Sequence, residues 1–369
     1  MDQKGGTDHM RRSMTRAILA LSFLLLAGCL PAAGGGPAPS QRAPGIEAFQ
    51  AGPLPWAPRV AYGLAPAPPR PQPAGPRPEE DLVMDDGARL PLRAWRPEGP
   101  PRFLLLALHG MGDHGGNFLL ESGPVLAAGG ALVYAYDQRG FGWTATRGLW
   151  AGRERMAADA AAAAALLRAR HPGLPLFVLG ESLGGAIAML AAADGGFPQA
   201  SGLILSAPAI WGGDHFPWFF RPPLAVGAAL LGPLASPAVA GGIAASDNEA
   251  ALRRFARDPL TLREIRLDML AGIVGTMDAA VGALPGCCGG LPTLVMVGGN
   301  DQVVPTSASR AALRAAEAPR VIFYPEGWHL LLRDDVRDDV ARDVLAFMAD
   351  PRTPLPAEAR GQAWLAGVD

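Results

Sequence analysis

The chain has 369 residues, enough for one large single-core domain with extensions. A formal net charge of −2 supplies no basic face, which removes the electrostatic case for nucleic-acid binding. Three cysteines, Cys29, Cys287 and Cys288, make neither a disulfide framework nor a zinc site, and nothing in the sequence calls for a metal or an organic cofactor.

In chain order, Arg11, Arg12 and Arg16 precede an apolar run over 17–26. That run is too short for a bilayer span but has the length of a signal-peptide core. It ends in Leu26-Ala27-Gly28-Cys29, which resembles a bacterial lipobox. The small residues admit a peptidase and the Cys29 thiol takes the lipid. Residues 1–29 are therefore expected to be a lipoprotein signal peptide. The predicted location is the bacterial cell envelope, lipid-anchored and extracytoplasmic. Leu30, where an aspartate would retain such lipoproteins at the inner membrane, favours the outer one. Residues 30–80 are rich in proline, glycine and alanine and read as an extended tether.

From Asp81 the pattern changes. Segments 82–84 and 89–95, with Asp86-Gly87 between them, read as a hairpin. Residues 103–108 form a continuous apolar run, as a strand buried on both faces requires. Similar runs recur at 131–136, 176–179, 202–205, 293–297 and 321–324. Helical segments lie between them at 117–127, 153–170, 182–193, 307–316 and 335–349. The alanine-rich stretch at 160–167 is broken by Arg168 and Arg170, so it reads as an amphipathic helix and not a membrane span. This alternation predicts a mostly parallel, eight-stranded α/β sheet flanked by helices over 81–350, with a tail at 351–369. From 208 to 284 no core strand is evident, and this proline-rich, helix-like stretch after the sixth strand reads as a cap.

Gly180-Glu181-Ser182-Leu183-Gly184 follows an apolar strand and opens a helix, the context a nucleophile elbow requires. Its glycines let strand and helix pack closely while the Ser182 hydroxyl projects from the sheet's C-terminal edge. Asp301, after the strand at 293–297, and His329, after the strand at 321–324, follow in the order serine, acid, histidine. His329 takes the proton from Ser182, and Asp301 orients the imidazole. Asp334 and Asp335 are weaker acid candidates. The loop His109-Gly110-Met111-Gly112 follows the strand at 103–108; the backbone N–H groups of Met111 and Leu183 are the expected oxyanion hole. His109 is expected to orient that loop. Asp113 and His114 read either as substrate contacts or as turn formers.

These motifs, with Tyr136-Asp137-Gln138-Arg139-Gly140-Phe141-Gly142, Gly299-Asn300-Asp301 and Tyr324-Pro325-Glu326-Gly327-Trp328-His329, resemble the monoacylglycerol lipase and lysophospholipase branch of the α/β hydrolases. That branch is also called the serine aminopeptidase-like group. The likeness spans most of 82–350, and Asp258-Pro259 in the cap belongs to it. It implies the α/β-hydrolase fold, the triad Ser182, Asp301 and His329, and a lipid-ester substrate. Two positions depart from the family pattern. Leu183 stands where methionine is usual, and Phe141 where histidine often lies between the glycines. Neither touches the chemistry, since the oxyanion donor is a backbone group.

In the cap, Trp211, Phe216, Trp218, Phe219 and Phe220 cluster with prolines. They read as a cap core, as an acyl-chain tunnel, or as a face that dips into a membrane. The expected partners are thus a small lipid ester and a membrane, reached through Cys29 and the cap. Three readings compete: a lipid-ester hydrolase, a small-ester esterase or aminopeptidase on the same scaffold, and a catalytically idle lipoprotein. Cys287 and Cys288 are expected to be free thiols, because adjacent cysteines bridge only through a strained ring.

Overall fold

The computed structural model describes residues 42–52, 72–237, 243–316 and 320–368. Cys29, the signal segment and most of the tether, 53–71 included, lie outside them. The sheet elements are β1 (Gly45–Ala48), β2 (Glu80–Val83), β3 (Arg89–Trp95), β4 (Phe103–Leu108), β5 (Ala131–Tyr136), β6 (Leu176–Glu181) and β7 (Ala200–Ser206). The short pair β8 (Ala235–Pro237) and β9 (Glu264–Arg266) follows, then β10 (Thr293–Gly298) and β11 (Arg320–Tyr324). The helices are α1 (Gly115–Phe118), α2 (Ser122–Ala128), α3 (Arg153–Arg170), α4 (Leu183–Ala193), α5 (Arg221–Leu231) and α6 (Glu249–Arg257). They continue with α7 (Leu267–Ala283), α8 (Thr306–Ala315), α9 (Arg337–Ala349) and α10 (Glu358–Ala366).

The main sheet runs β1-β2-β3-β5-β4-β6-β7-β10-β11. Pairs from β1 to β5 through β2 and β3 are antiparallel, and those from β5 to β11 are parallel. The reason lies in the strand period of two. In β4, Leu104, Leu106 and Leu108 join one core cluster, while Phe103, Leu105 and Ala107 join another on the opposite face. Leu203 and Leu205 of β7 divide from Ile204 in the same way. An all-apolar strand is what a two-faced core demands. α3 meets one face through Met156, Ala160, Ala163 and Leu167 at helical spacing. No described helix is long and apolar enough to cross a membrane.

The structure corrects the predicted architecture at several points. Among the described residues the sheet has nine strands where eight were expected, because β1, inside the expected tether, pairs antiparallel with β2. Arg89 draws it in by pairing with both Glu47 and Asp81, and the Gln50 amide donates to Asp81 at 3.0 Å. The expected helix at 117–127 is two, α1 and α2. The expected tail carries α10, whose Trp364 is buried and stacks on Phe323 at 5.0 Å. A Cβ at Gly361 would lie 1.9 Å from the Val321 carbonyl oxygen, so only glycine lets α10 pack so closely on β11. Cys287 and Cys288 are joined in a disulfide where free thiols were expected, in a turn whose Gly286 and Cys288 have left-handed backbone. The cap is mostly helical as expected, but β8 and β9 pair within it. Met269, Ile273, Met277 and Ala280 of α7 share one core with Leu183 and Ile187 of α4, which seats the cap beside the elbow helix.

Candidate active site

Strands β4, β6, β7, β10 and β11 are parallel neighbours, so the loops leaving their C-terminal ends share one edge of the sheet. β6 delivers Ser182 to that edge. Its backbone, φ 54° and ψ −118°, lies where non-glycine residues rarely go. Hydrogen bonds hold it there: the Ser182 N–H donates to the Ser206 carbonyl at 3.0 Å, and its own carbonyl accepts from Ala186 at 3.1 Å and Ala209 at 2.9 Å. A Cβ at Gly184 would meet the Leu108 carbonyl oxygen at 2.3 Å, and one at Gly180 would meet that of Gly184 at 2.4 Å. Glycine at both positions is therefore a steric requirement of the turn.

The loop after β4 passes against Ser182, since a Cβ on Gly110 would stand 3.2 Å from the Ser182 Cβ. Met111 comes next in that loop. Leu183 opens α4, where the first N–H groups of a helix have no partner within it. His109 orients the loop as expected. Its Nε2 accepts from the Gln138 amide at 3.0 Å, so its Nδ1 carries the proton and faces the Gly110 carbonyl at 2.8 Å. Burial keeps this imidazole below its ordinary pKa and hence neutral.

Asp301 and His329 meet as the chain order predicted. Asp301 Oδ2 lies 2.8 Å from His329 Nδ1, and its Oδ1 accepts from the amides of Val303 and Val304 at 2.8 and 2.9 Å. One Asp301 oxygen thus caps the turn and the other faces the imidazole. His329 is buried. Burial opposes its charged form, but the Asp301 charge and hydrogen bond, with Glu181, outweigh that, and its pKa stands above the ordinary value. Asp334, the weaker acid candidate, makes its hydrogen bonds elsewhere. It accepts from Ser246 Oγ and, at 2.6 Å, from the Trp328 amide, tying the histidine loop to the cap. Burial pushes it up to about 6. The Asp335 side chain is exposed.

Asp113 and His114 follow Met111 in the loop after β4. Both are buried. Asp113 accepts from Arg333, from the His114 amide and from Asn117 Nδ2. His114 Nε2 stands 3.2 Å from Asp258 Oδ2, which joins the loop after β4 to the cap. These contacts lie within the protein and fit the turn-forming reading of the two residues. The cap aromatics divide. Trp211 and Phe216 are half-buried, with rings edge to face at 5.2 Å. Trp218, Phe219 and Phe220 are 76%, 56% and 54% exposed, which corrects the cap-core reading for these three. Val226, Leu230 and Leu231 of α5 are exposed as well.

Two residues escaped the sequence reading. Glu181, at the variable position of the elbow, and Arg333, four residues past His329, form a buried ion pair at 2.7 Å. The signal was a carboxylate at the end of a strand buried on both faces, which requires a buried cation somewhere. Burial pushes Glu181 up to about 7 even against the Arg333 charge.

Strand order, a cap between β7 and β10, and a strained serine between glycines define an α/β hydrolase. The sequence profile of the family described as serine aminopeptidase, S33 matches residues 99–336. The chain belongs to that family and is a carboxylic ester hydrolase. It is 27% identical over 285 residues to the monoacylglycerol lipase of Mycolicibacterium smegmatis, covering 74% of this chain and 97% of that relative. It is 27% identical over 259 residues to human monoglyceride lipase, covering 69% of this chain and 84% of that one. Among solved structures, a soluble variant of monoglyceride lipase from Saccharomyces cerevisiae in complex with a substrate analog superposes with a TM-score of 0.64 at 20% identity. That match covers 78% of this chain and 100% of the yeast chain.

Proposed function

We propose that this hydrolase cleaves monoacylglycerol- or lysophospholipid-type esters through Ser182, His329 and Asp301. The observation that carries the reading is the 2.8 Å bond between Asp301 and His329 on the sheet edge that holds the strained Ser182. With its Nδ1–H donating a hydrogen bond to Asp301, the His329 Nε2 is free to take the Ser182 proton. Ser182 Oγ attacks the ester carbonyl, and the N–H groups of Met111 and Leu183 receive the oxyanion. His329 returns the proton to the leaving glycerol oxygen. Water, activated by the same imidazole, then hydrolyses the acyl-enzyme and releases the fatty acid.

The relatives named monoacylglycerol lipase support the substrate class. So does the apolar surface of the cap, where Trp218, Phe219, Phe220 and α5 offer a face for a lipid interface. Trp211 and Phe216 are the aromatic residues proposed to contact the acyl chain. Cys29 is the proposed lipid anchor, holding the enzyme extracytoplasmically in a bacterial envelope, at the outer membrane. The family description keeps aminopeptidase as a second reading. Such an enzyme needs a carboxylate for the substrate ammonium, and Glu181 and Asp113 beside the site are both committed to Arg333.

The test is fluorophosphonate labelling, followed by assay of monoacylglycerols of several chain lengths, p-nitrophenyl esters and aminoacyl amides. Ser182→Ala is expected to abolish labelling and to lower kcat on the order of 10⁴-fold or more. Labelling that survives this substitution overturns the triad; a preference for aminoacyl amides moves the enzyme to the peptidases.

A further inference from the structure

Three loops converge on the proposed site, and each contributes one charge to a single buried cluster. Glu181 immediately precedes the nucleophile. Asp113 lies two residues past Met111. Arg333 lies four residues past His329. Arg333 NH1 donates to Asp113 Oδ2 at 2.5 Å and its NH2 to Glu181 Oε1 at 2.7 Å, and all three side chains are almost wholly buried. The contacts continue into the cap. Asn117 donates to Asp113 at 2.8 Å and accepts from Arg254 Nε of α6 at 3.2 Å, while Asn248 Nδ2 donates to the Arg333 carbonyl at 2.8 Å.

Such a cluster is a poor device for stability alone. Desolvating three charges costs as much as their attraction returns, and apolar residues of similar volume commonly do as well or better. What it supplies instead is geometry. The planar guanidinium offers donors in a fixed fork, so two carboxylates bound to it are held at a set separation. One of them sits on the nucleophile's own strand and the other on the loop proposed to bind the oxyanion. The arginine's backbone belongs to the histidine loop.

We infer that Arg333 is a positioning residue, which through Glu181 and Asp113 holds the nucleophile elbow, the oxyanion loop and the histidine loop in register for catalysis. The inference rests on the proposed triad and goes beyond it, since Arg333 touches none of the reacting atoms. A displaced oxyanion donor weakens binding of the transition state and spares binding of the substrate. The cluster also sets the field at His329, which faces Asp301 and Glu181 as negative groups and Arg333 as a positive one.

The experiment compares the wild-type protein, Arg333→Met, Arg333→Lys, Glu181→Gln and Ser182→Ala, each as the folded, non-aggregated fraction isolated by size exclusion, on p-nitrophenyl butyrate across pH. Arg333→Met is expected to lower kcat roughly 10²–10³-fold while KM changes less than about threefold. Arg333→Lys should recover at least about tenfold of that loss by restoring the charge without the fork. Glu181→Gln removes a negative group facing His329, so the acid limb of kcat/KM should move to lower pH. Folded Arg333→Met with wild-type kcat, or a loss confined to KM, overturns the inference. If Arg333→Met does not fold, Glu181→Gln decides: an unmoved acid limb together with unchanged kcat overturns it. An active Ser182→Ala would instead bring down the triad itself, so the two failures are distinguishable.

Discussion

At the residue scale, the division of labour within Asp301 makes its two functions separable. Asp301→Asn keeps an oxygen for the amides of Val303 and Val304 but presents the wrong partner to His329 Nδ1. We predict a kcat loss on the order of 10⁴-fold with a small change in Tm. Asp301→Ala should show the same kinetic loss together with a lower Tm. The pH dependence has a defined sign. In the proposed mechanism His329 must be neutral to act as base; burial and the Arg333 charge oppose its charged form, but Asp301 and Glu181 raise its pKa in the folded protein. The acid limb of kcat/KM should therefore lie above the ordinary histidine value of about 6.5. The same shift contributes stability in the opposite sense. It is fully present below the unfolded pKa and is lost as pH rises through the folded one. A pH–rate profile beside thermal melts at each pH checks both statements.

At the element scale, the strand pattern was legible because apolar runs buried on both faces have one architectural use. The residues 103–108 and 293–297 could hardly be anything but central strands. β1 was not legible. Four residues in a proline-rich segment carry no periodic signal, and what recruits them is an open sheet edge and the Arg89 side chain, both distant in sequence. The segment 351–369 was misread for the same reason, since Gly361 and Trp364 have meaning only against β11. Removing residues 42–52 should cost about 1–2 kcal/mol, because a few net hydrogen bonds are offset by the chain entropy of ordering them. In a domain of this size that lowers Tm by roughly 1–3 °C. Melting of a chain lacking 42–52 against the full one tests this; an unchanged Tm would show that β1 adds nothing.

At the scale of the whole molecule, the cap carries its exposed aromatics and the α5 apolar residues together on one insertion. Replacing Trp218, Phe219 and Phe220 by serine should weaken binding to monoacylglycerol-containing vesicles roughly 10–100-fold, a fraction of the transfer energy of three aromatic side chains. Hydrolysis of a dissolved short-chain ester should fall far less. Equal losses on both substrates would assign these residues to the cap's own structure. Vesicle sedimentation and parallel kinetics read the difference.

The sequence by itself determined the α/β alternation, the elbow around Ser182 and the order of Asp301 and His329. Each depends on local chemistry: two-residue periodicity, glycines at a sharp turn, polar residues just past strand ends. Tertiary structure alone decided that Asp113 and His114 are buried, that the exposed aromatics are Trp218, Phe219 and Phe220, and that Arg333 reaches back to Glu181 across 152 positions. A buried charge reveals its partner only when the chain has folded, because desolvation, not sequence distance, is what forces the two together.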